Sequence, residues 1–385
     1  MRARHRAAAA AGGTCAAQRA GQRAGGLGRR ASRPVCQSDG GTGPNSAGAH
    51  RATWFPRSRA GAPCATRTAQ PRRGASRERR VSDDSSKGLT GFIGLGRMGR
   101  GMALNLCRKG FRLMVHDLAP GPVQDLVAAG ARAARDVAEL ARTCDVVITM
   151  LPDSATVTEV IAGPGGVLAN ARAGTLVMDM STVAPEVTDS VAAAAARREM
   201  RFVDAPVGRL ASHADRGESL FMVGASAQDF ATVRPLLEAM GTTLHHCGPT
   251  GTGTRTKLVN NYLAIVSCHL NAEALTLAQK FGLSLEKTLE VIHGTTATNG
   301  QLKIAWPTKV LRGDTEPGFT IDLAHKDLTL IVEAANAVRT PVPAAAAARE
   351  AYSVARARGW GAKDFSAMAD AWCELAGATP PRLES

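Results

Sequence analysis

A chain of 385 residues is longer than one hydrophobic core usually supports, so two folded domains plus a peripheral segment are the starting expectation. The formal net charge of +14 sits at one end: residues 1–88 hold 18 of the 47 lysines and arginines against four acids (Asp39, Glu78, Asp83, Asp84), a surplus equal to the whole. The basicity therefore says nothing about the folded body and does not by itself argue for nucleic acid or membrane as partner, and no apolar run reaches bilayer-spanning length.

Residues 1–88 are rich in Ala, Arg, Gly and Ser, with Trp54 and Phe55 as their aromatics. Such a stretch cannot bury enough surface to offset its ordering entropy, and a disordered tail is expected. Three readings of it stay open: a mitochondrial or plastid transit peptide, a nucleic-acid-binding arm, and a start assigned too far upstream, with the native protein beginning near Val81, which is the favoured one. The early arginines have no following apolar core, so no secretory signal is expected. The eight cysteines include no pair with zinc spacing. No metal site is expected, and reduced thiols in the cytoplasm are the economical reading, or in a mitochondrial matrix or plastid if the tail is a transit peptide.

From Leu89 the pattern alternates. Leu89-Thr-Gly-Phe-Ile-Gly94 reads as a strand, Gly94-Leu-Gly-Arg-Met-Gly99 as a turn and Met102–Lys109 as a helix closed by Gly110. Phe111–Asp117, Asp145–Leu151, Thr175–Met180 and Arg201–Pro206 read as further buried strands, and Ser219–Gly224 and Thr243–Cys247 complete the sheet. This alternation predicts a Rossmann, doubly wound and mainly parallel sheet over residues 89–251. A long helical pattern over 254–281 follows, then helices interrupted at Gly294, Trp306-Pro307, Gly313–Gly318 and Pro341–Pro343, so an all-helical C-terminal domain is expected over 252–385, joined by the long helix.

In a dinucleotide fold the first glycine allows the tight turn, the second admits the pyrophosphate, and the third lets helix and strand pack closely. Gly94, Gly96 and Gly99 occupy these places, and Asp117 ends the second strand 21 residues after Gly96, where a carboxylate would accept from a ribose 2′-OH. The same carboxylate repels a 2′-phosphate, so NAD(H) is expected in preference to NADP(H).

The segments Phe92–Gly99, Thr149–Pro152, Asp179–Thr182, Asp204–Val207, Lys257–Tyr262 and Phe319–Asp327 resemble the β-hydroxyacid dehydrogenases across 90–375. Where most of that family continues into Ser-Gly-Gly, this chain has Gly208-Arg-Leu210, and that run looks like the 3-sulfolactaldehyde reductases. The resemblance implies hydride transfer between the nicotinamide and a small anionic aldehyde or hydroxyacid, with Lys257 as general acid and Asn261 bonding the reacting oxygen. It implies Asn260, Tyr262, Leu263 and Ala264 as pocket lining, Arg209 on the substrate anion, and Ser181 touching nicotinamide or substrate. Arg97, Met98, Leu151, Thr182 and Lys326 would contact cofactor. It also implies a homodimer or homotetramer. Lys257, Asn260 and Asn261, at i, i+3 and i+4, share one helical face; an apolar pocket and the Arg209 charge would lower the lysine's proton affinity.

The best reading is NADH-dependent reduction of 3-sulfolactaldehyde to 2,3-dihydroxypropane-1-sulfonate. The alternatives are a 4-hydroxybutyrate (succinic semialdehyde) or 3-hydroxyisobutyrate dehydrogenase and, more distantly, an imine reductase or a non-catalytic scaffold whose basic arm binds nucleic acid.

Overall fold

The computed structural model describes Gly88 to Glu384. The basic tail expected over residues 1–88 therefore falls, but for Gly88, outside the described residues.

Among the described residues nine strands form one sheet: β1 (Thr90–Ile93), β2 (Leu113–His116), β3 (Arg132–Ala133), β4 (Val146–Thr149), β5 (Leu176–Asp179), β6 (Arg201–Asp204), β7 (Val207–Gly208), β8 (Ser219–Gly224) and β9 (Gly241–Gly248). Their order is β3-β2-β1-β4-β5-β6, with β8 next and β9 at the edge. Strands β1 to β6 are parallel to their neighbours, while β6 and β7 meet β8 antiparallel in one unbroken register, Asp204↔Gly224 leading on to Val207↔Phe221 and Gly208↔Leu220. The order in which strands are added reverses at β1, where β2 lies on one side and β4 on the other, and such a switch point opens a crevice at the carboxyl ends of the strands.

The strands are apolar on both faces because helices cover both: β1 and β5 are buried at every residue. One side packs Phe92, Leu106 and Met178, the other Leu140, Val147 and Val177. The two-residue strands β3 and β7 escape sequence reading because two residues carry no period. β9 is longer than expected, since it starts directly at the end of the helix Ala227–Met240.

A helix of 29 residues, Thr252–Lys280, leads from the sheet into the helical half. It packs there with Leu285–His293, Ile321–Ala337, Pro343–Ala357 and Met368–Ala376 around Trp306, Tyr352, Leu275 and Leu328. The breaks fall where predicted: at Gly294, at the irregular turns around Trp306-Pro307, at the loop from Gly313 and before Pro343. No helix among the described residues is long and apolar enough to cross a membrane, and no three His, Cys, Asp or Glu side chains among them group as metal ligands do.

Candidate active site

The glycine turn is a backbone device. Gly94 adopts φ +94°, a left-handed conformation that a side chain resists, and a Cβ there would overlap the Met150 carbonyl. A Cβ on Gly99 would overlap the Gly94 carbonyl, so the helix Gly99–Arg108 lies as close to β1 as glycine permits. Gly96 differs: a Cβ there meets nothing within 4 Å, so it faces open space over the N-terminus of that helix, which has no acidic residue in its first turn and no side-chain cap. Open room above an uncapped helix N-terminus fits a dinucleotide pyrophosphate. Asp117 stands beside the turn, Oδ2 accepting from the Leu95 N–H at 2.6 Å and Oδ1 from the Ala119 N–H at 2.7 Å. The exposed Arg97 donates to the Pro317 carbonyl at 2.7 Å, linking turn and helical half, and Met98 is half-buried.

Across the crevice, Lys257 is carried on the second turn of the long helix and its Nζ donates to the Val207 carbonyl at 2.8 Å. Burial pushes its ammonium below the ordinary lysine range; the Asp327 carboxylate opposes that shift and the Lys326 charge adds to it. Asp327, 2% exposed, accepts from Asn261 Nδ2 at 2.6 Å and pairs with Lys326 at 3.1 Å. Asn261 Oδ1 in turn accepts from Asn260 Nδ2 at 3.2 Å. Lys326 also donates to the carbonyls of Thr182 (2.8 Å) and Pro152 (3.2 Å), tying the helix Ile321–Ala337 to the loops after β4 and β5, where the half-buried Leu151 and Thr182 lie. A Cβ on Gly94 would stand 3.1 Å from Leu151, so the glycine turn borders the same loop that Lys326 ties to the helix carrying Asp327.

One expectation needs correction, the charge assigned to act on Lys257, and the residues expected along the substrate have these surroundings. The Arg209 guanidinium donates to the Glu218 carbonyl and to the hydroxyls of Thr242 and Thr243 on β9, each hydroxyl at 3.1 Å. Those bonds hold a non-glycine residue at φ +70°, and the cation lowering the Lys257 proton affinity is Lys326 instead. Of the run after Asn261, Tyr262 packs on the helical core and Leu263 is 62% exposed, because 100° per residue carries both off the Lys257 face; Ala264 stays on it. Ser181 is 1% exposed, its hydroxyl donating to Asp179 at 2.6 Å and accepting from the Leu151 N–H at 2.8 Å, bonds that shape the loop after β4.

Sequence reasoning passed over three groups. Asp327 reads as a surface charge beside Lys326, and only three-dimensional burial reveals it. The Val207 carbonyl, being backbone, leaves no trace in sequence. Asp204 belongs to a quoted motif, yet nothing in the motif says that its carboxylate meets the long helix.

Residues 90–248 match the family described as the NAD binding domain of 6-phosphogluconate dehydrogenase, and 251–372 the family described as the NAD-binding part of NADP-dependent 3-hydroxyisobutyrate dehydrogenase. The chain is 42% identical over 277 residues to 3-sulfolactaldehyde reductase of Escherichia coli strain K12, spanning 72% of this chain and 93% of that protein. It is 38% identical to 2-(hydroxymethyl)glutarate dehydrogenase of Eubacterium barkeri, over 74% of this chain and 95% of that protein. Among solved structures, a Mycobacterium tuberculosis 3-hydroxyisobutyrate dehydrogenase with L-serine superposes with a TM-score of 0.70 at 33% identity, covering 74% of this chain and 99% of that one.

Proposed function

Because this chain belongs to the β-hydroxyacid dehydrogenases, in their 3-hydroxyisobutyrate dehydrogenase-like branch, and is therefore an oxidoreductase of CH–OH groups with a nicotinamide cofactor, we propose that it reduces a small anionic aldehyde to its alcohol with NADH, 3-sulfolactaldehyde to 2,3-dihydroxypropane-1-sulfonate being the favoured reaction. When bound, the dinucleotide supplies or takes the hydride; the protein's part is to bind, orient and move a proton. Gly94, Gly96 and Gly99 would hold the pyrophosphate, and Asp117 the ribose, where its charge disfavours a 2′-phosphate.

The observation that carries this reading is the half-buried Lys257 ammonium with one carbonyl partner at 2.8 Å and one opposing carboxylate, Asp327. An ammonium has three donors, so two remain for a substrate oxygen. Burial makes it a readier acid while Asp327 keeps it charged, the balance a proton donor needs. Asn261, its amide fixed by Asp327 and Asn260, keeps an N–H for the same oxygen. In the reverse direction Lys257 takes the proton back.

The sulfonate assignment rests on the Escherichia coli relative and on Gly208-Arg209-Leu210, and it requires the Arg209 fork to exchange its threonine hydroxyls for the anion. One observation favours the second reading, a carboxylated substrate such as succinic semialdehyde or 3-hydroxyisobutyrate: the guanidinium is already bonded on both arms. NADH oxidation against sulfolactaldehyde and succinic semialdehyde, with Lys257→Ala and Arg209→Ala, separates the two. Lys257→Ala should lose about 10²–10⁴ in kcat on either substrate. Arg209→Ala should raise KM for the sulfonate alone, and an unchanged KM there removes the sulfonate reading.

We also propose a homodimer or homotetramer. The long helix exposes Val259 (66%), Leu263 (62%), Leu270 (53%) and Leu277 (54%) along one stripe, an apolar face of the kind a second copy covers. Light scattering on the purified chain tests it; a monomer at micromolar concentration removes it.

A further inference from the structure

We propose that Asp204 is a positioning residue that sets the height of Lys257 in the crevice, by clamping the first turn of the long helix to the strand end whose Val207 carbonyl receives the ammonium. The inference rests on Lys257 being the proton donor and adds to it the part that fixes where the proton is delivered.

Asp204 is the last residue of β6 and is 1% exposed. Its Oδ1 accepts from the Gly251 N–H at 2.6 Å and its Oδ2 from the Thr254 N–H at 2.7 Å, so one carboxylate engages both ends of the helix's opening turn. Three residues further along the same chain, Val207 accepts from Lys257, which lies three residues beyond Thr254. One strand end is thus fastened to two successive turns of one helix, in register. The contact leaves no slack: a Cβ on Gly253 would stand 2.7 Å from the Asp204 carbonyl, and one on Gly224 would overlap the Asp204 carboxylate. Thr254 is held a second time, its hydroxyl 3.1 Å from that of Thr188.

A fold seeking stability alone has little reason to bury a carboxylate here. Burial pushes the Asp204 carboxyl up to about 6 in spite of the Gly251 and Thr254 donors, so at neutral pH the fold carries an ionised group that its surroundings disfavour. Buried charge retained against that cost is more often found where geometry matters to function. The charged groups around it are Arg255 on the same helix, paired with Asp189 at 2.7 Å, and Asp179, its register partner on β5. None of them donates to Asp204, whose partners are the Gly251 and Thr254 N–H groups together with the Thr254 hydroxyl.

The test compares the full wild-type chain with Asp204→Asn and Asp204→Ala. Three quantities are read: NADH affinity by fluorescence, kcat, and the pH dependence of Lys257 acetylation by peptide mass spectrometry. Asp204→Asn keeps the size of the side chain but offers one acceptor where two are needed. NADH affinity should stay within about twofold while kcat falls on the order of tenfold, the scale of a small misplacement of a reacting group. Lys257, loosened toward water, should acetylate with its midpoint moved to higher pH. A folded Asp204→Asn protein with wild-type kcat and an unmoved Lys257 profile overturns the proposal. Should neither variant fold, hydrogen exchange on the wild type decides: the Gly251 and Thr254 amides are protected at pH 7.5 if the clamp holds them, and unprotected amides refute it. Full turnover by Lys257→Ala would refute the proton-donor reading instead, leaving the acetylation shift of Asp204→Asn to be judged by itself.

Discussion

The two walls of the crevice are built from different materials. The glycine turn is a feature of the backbone: a left-handed Gly94, a Gly99 with no room for a methyl group, and a Gly96 facing open space, all within six residues. The Lys257 wall is made mainly of side chains from distant parts of the chain: Lys257 donates to the Val207 carbonyl at 2.8 Å, Lys326 pairs with Asp327 at 3.1 Å, and the buried Asp327 carboxylate acts on the Lys257 charge. A backbone site is specified by what is missing at fixed spacing, so it tolerates no added atom. A side-chain site is specified by charge balance, so it can be tuned without being destroyed.

The largest expected effect lies on the backbone wall, where two methyl groups three residues apart should fail in different ways. Gly99→Ala forces a Cβ into the Gly94 carbonyl, and overpacking of this kind costs about 1–3 kcal/mol along with the turn itself. Gly96→Ala adds its methyl to open space and should leave Tm unchanged, yet the methyl occupies the room assigned to the pyrophosphate, and NADH affinity should fall by more than about tenfold. Thermal unfolding and NADH titration of both variants check this. Normal NADH binding by Gly96→Ala would mean that the open space above the helix is not the phosphate cradle.

The side-chain wall should respond by a shift rather than a loss. Asp327 holds the Lys257 ammonium in its charged form against burial and the Lys326 charge. Asp327→Asn removes that support and retains an acceptor for Asn261, so the lysine's proton affinity must fall further. If Lys257 is the proton donor proposed above, reduction requires its protonated amine, so the basic limb in kcat against pH should move to lower pH, while the rate on the acid side of that limb stays within about threefold. A limb that stays in place, or moves to higher pH, would show that Asp327 does not act on Lys257 through charge.

The same contrast explains what could be read from sequence. The strands β1, β2, β4, β5, β6 and β8 were legible because apolar runs between glycine and proline are local signals, and the glycine motif because its spacing encodes the turn. The face shared by Lys257, Asn260 and Asn261 was legible from helical period alone. Arg209 was not: its identity suggested an anion, but whether its guanidinium meets a substrate or two threonines on β9 depends on a rotamer and on a neighbouring strand more than 30 residues away. Asp327 and Asp204 were hidden for a related reason, since an aspartate in sequence is ordinarily a solvated one and only the packing of another helix takes it out of water.

The smallest effect is expected where the two kinds of wall meet, at Asp117, a side chain acting on a backbone turn. Its Oδ2 accepts from the Leu95 N–H at 2.6 Å, so Asp117→Asn can keep the turn through its remaining carbonyl oxygen while losing the charge. A neutral amide neither repels a 2′-phosphate nor accepts as strongly from a ribose hydroxyl. The ratio of kcat/KM for NADH to that for NADPH should drop by roughly tenfold, about 1.4 kcal/mol of discrimination, with Tm within a degree or two of wild type. Kinetics with both cofactors on the folded variant measure it directly. An unchanged ratio would mean that Asp117 serves the turn alone and does not discriminate between the two cofactors.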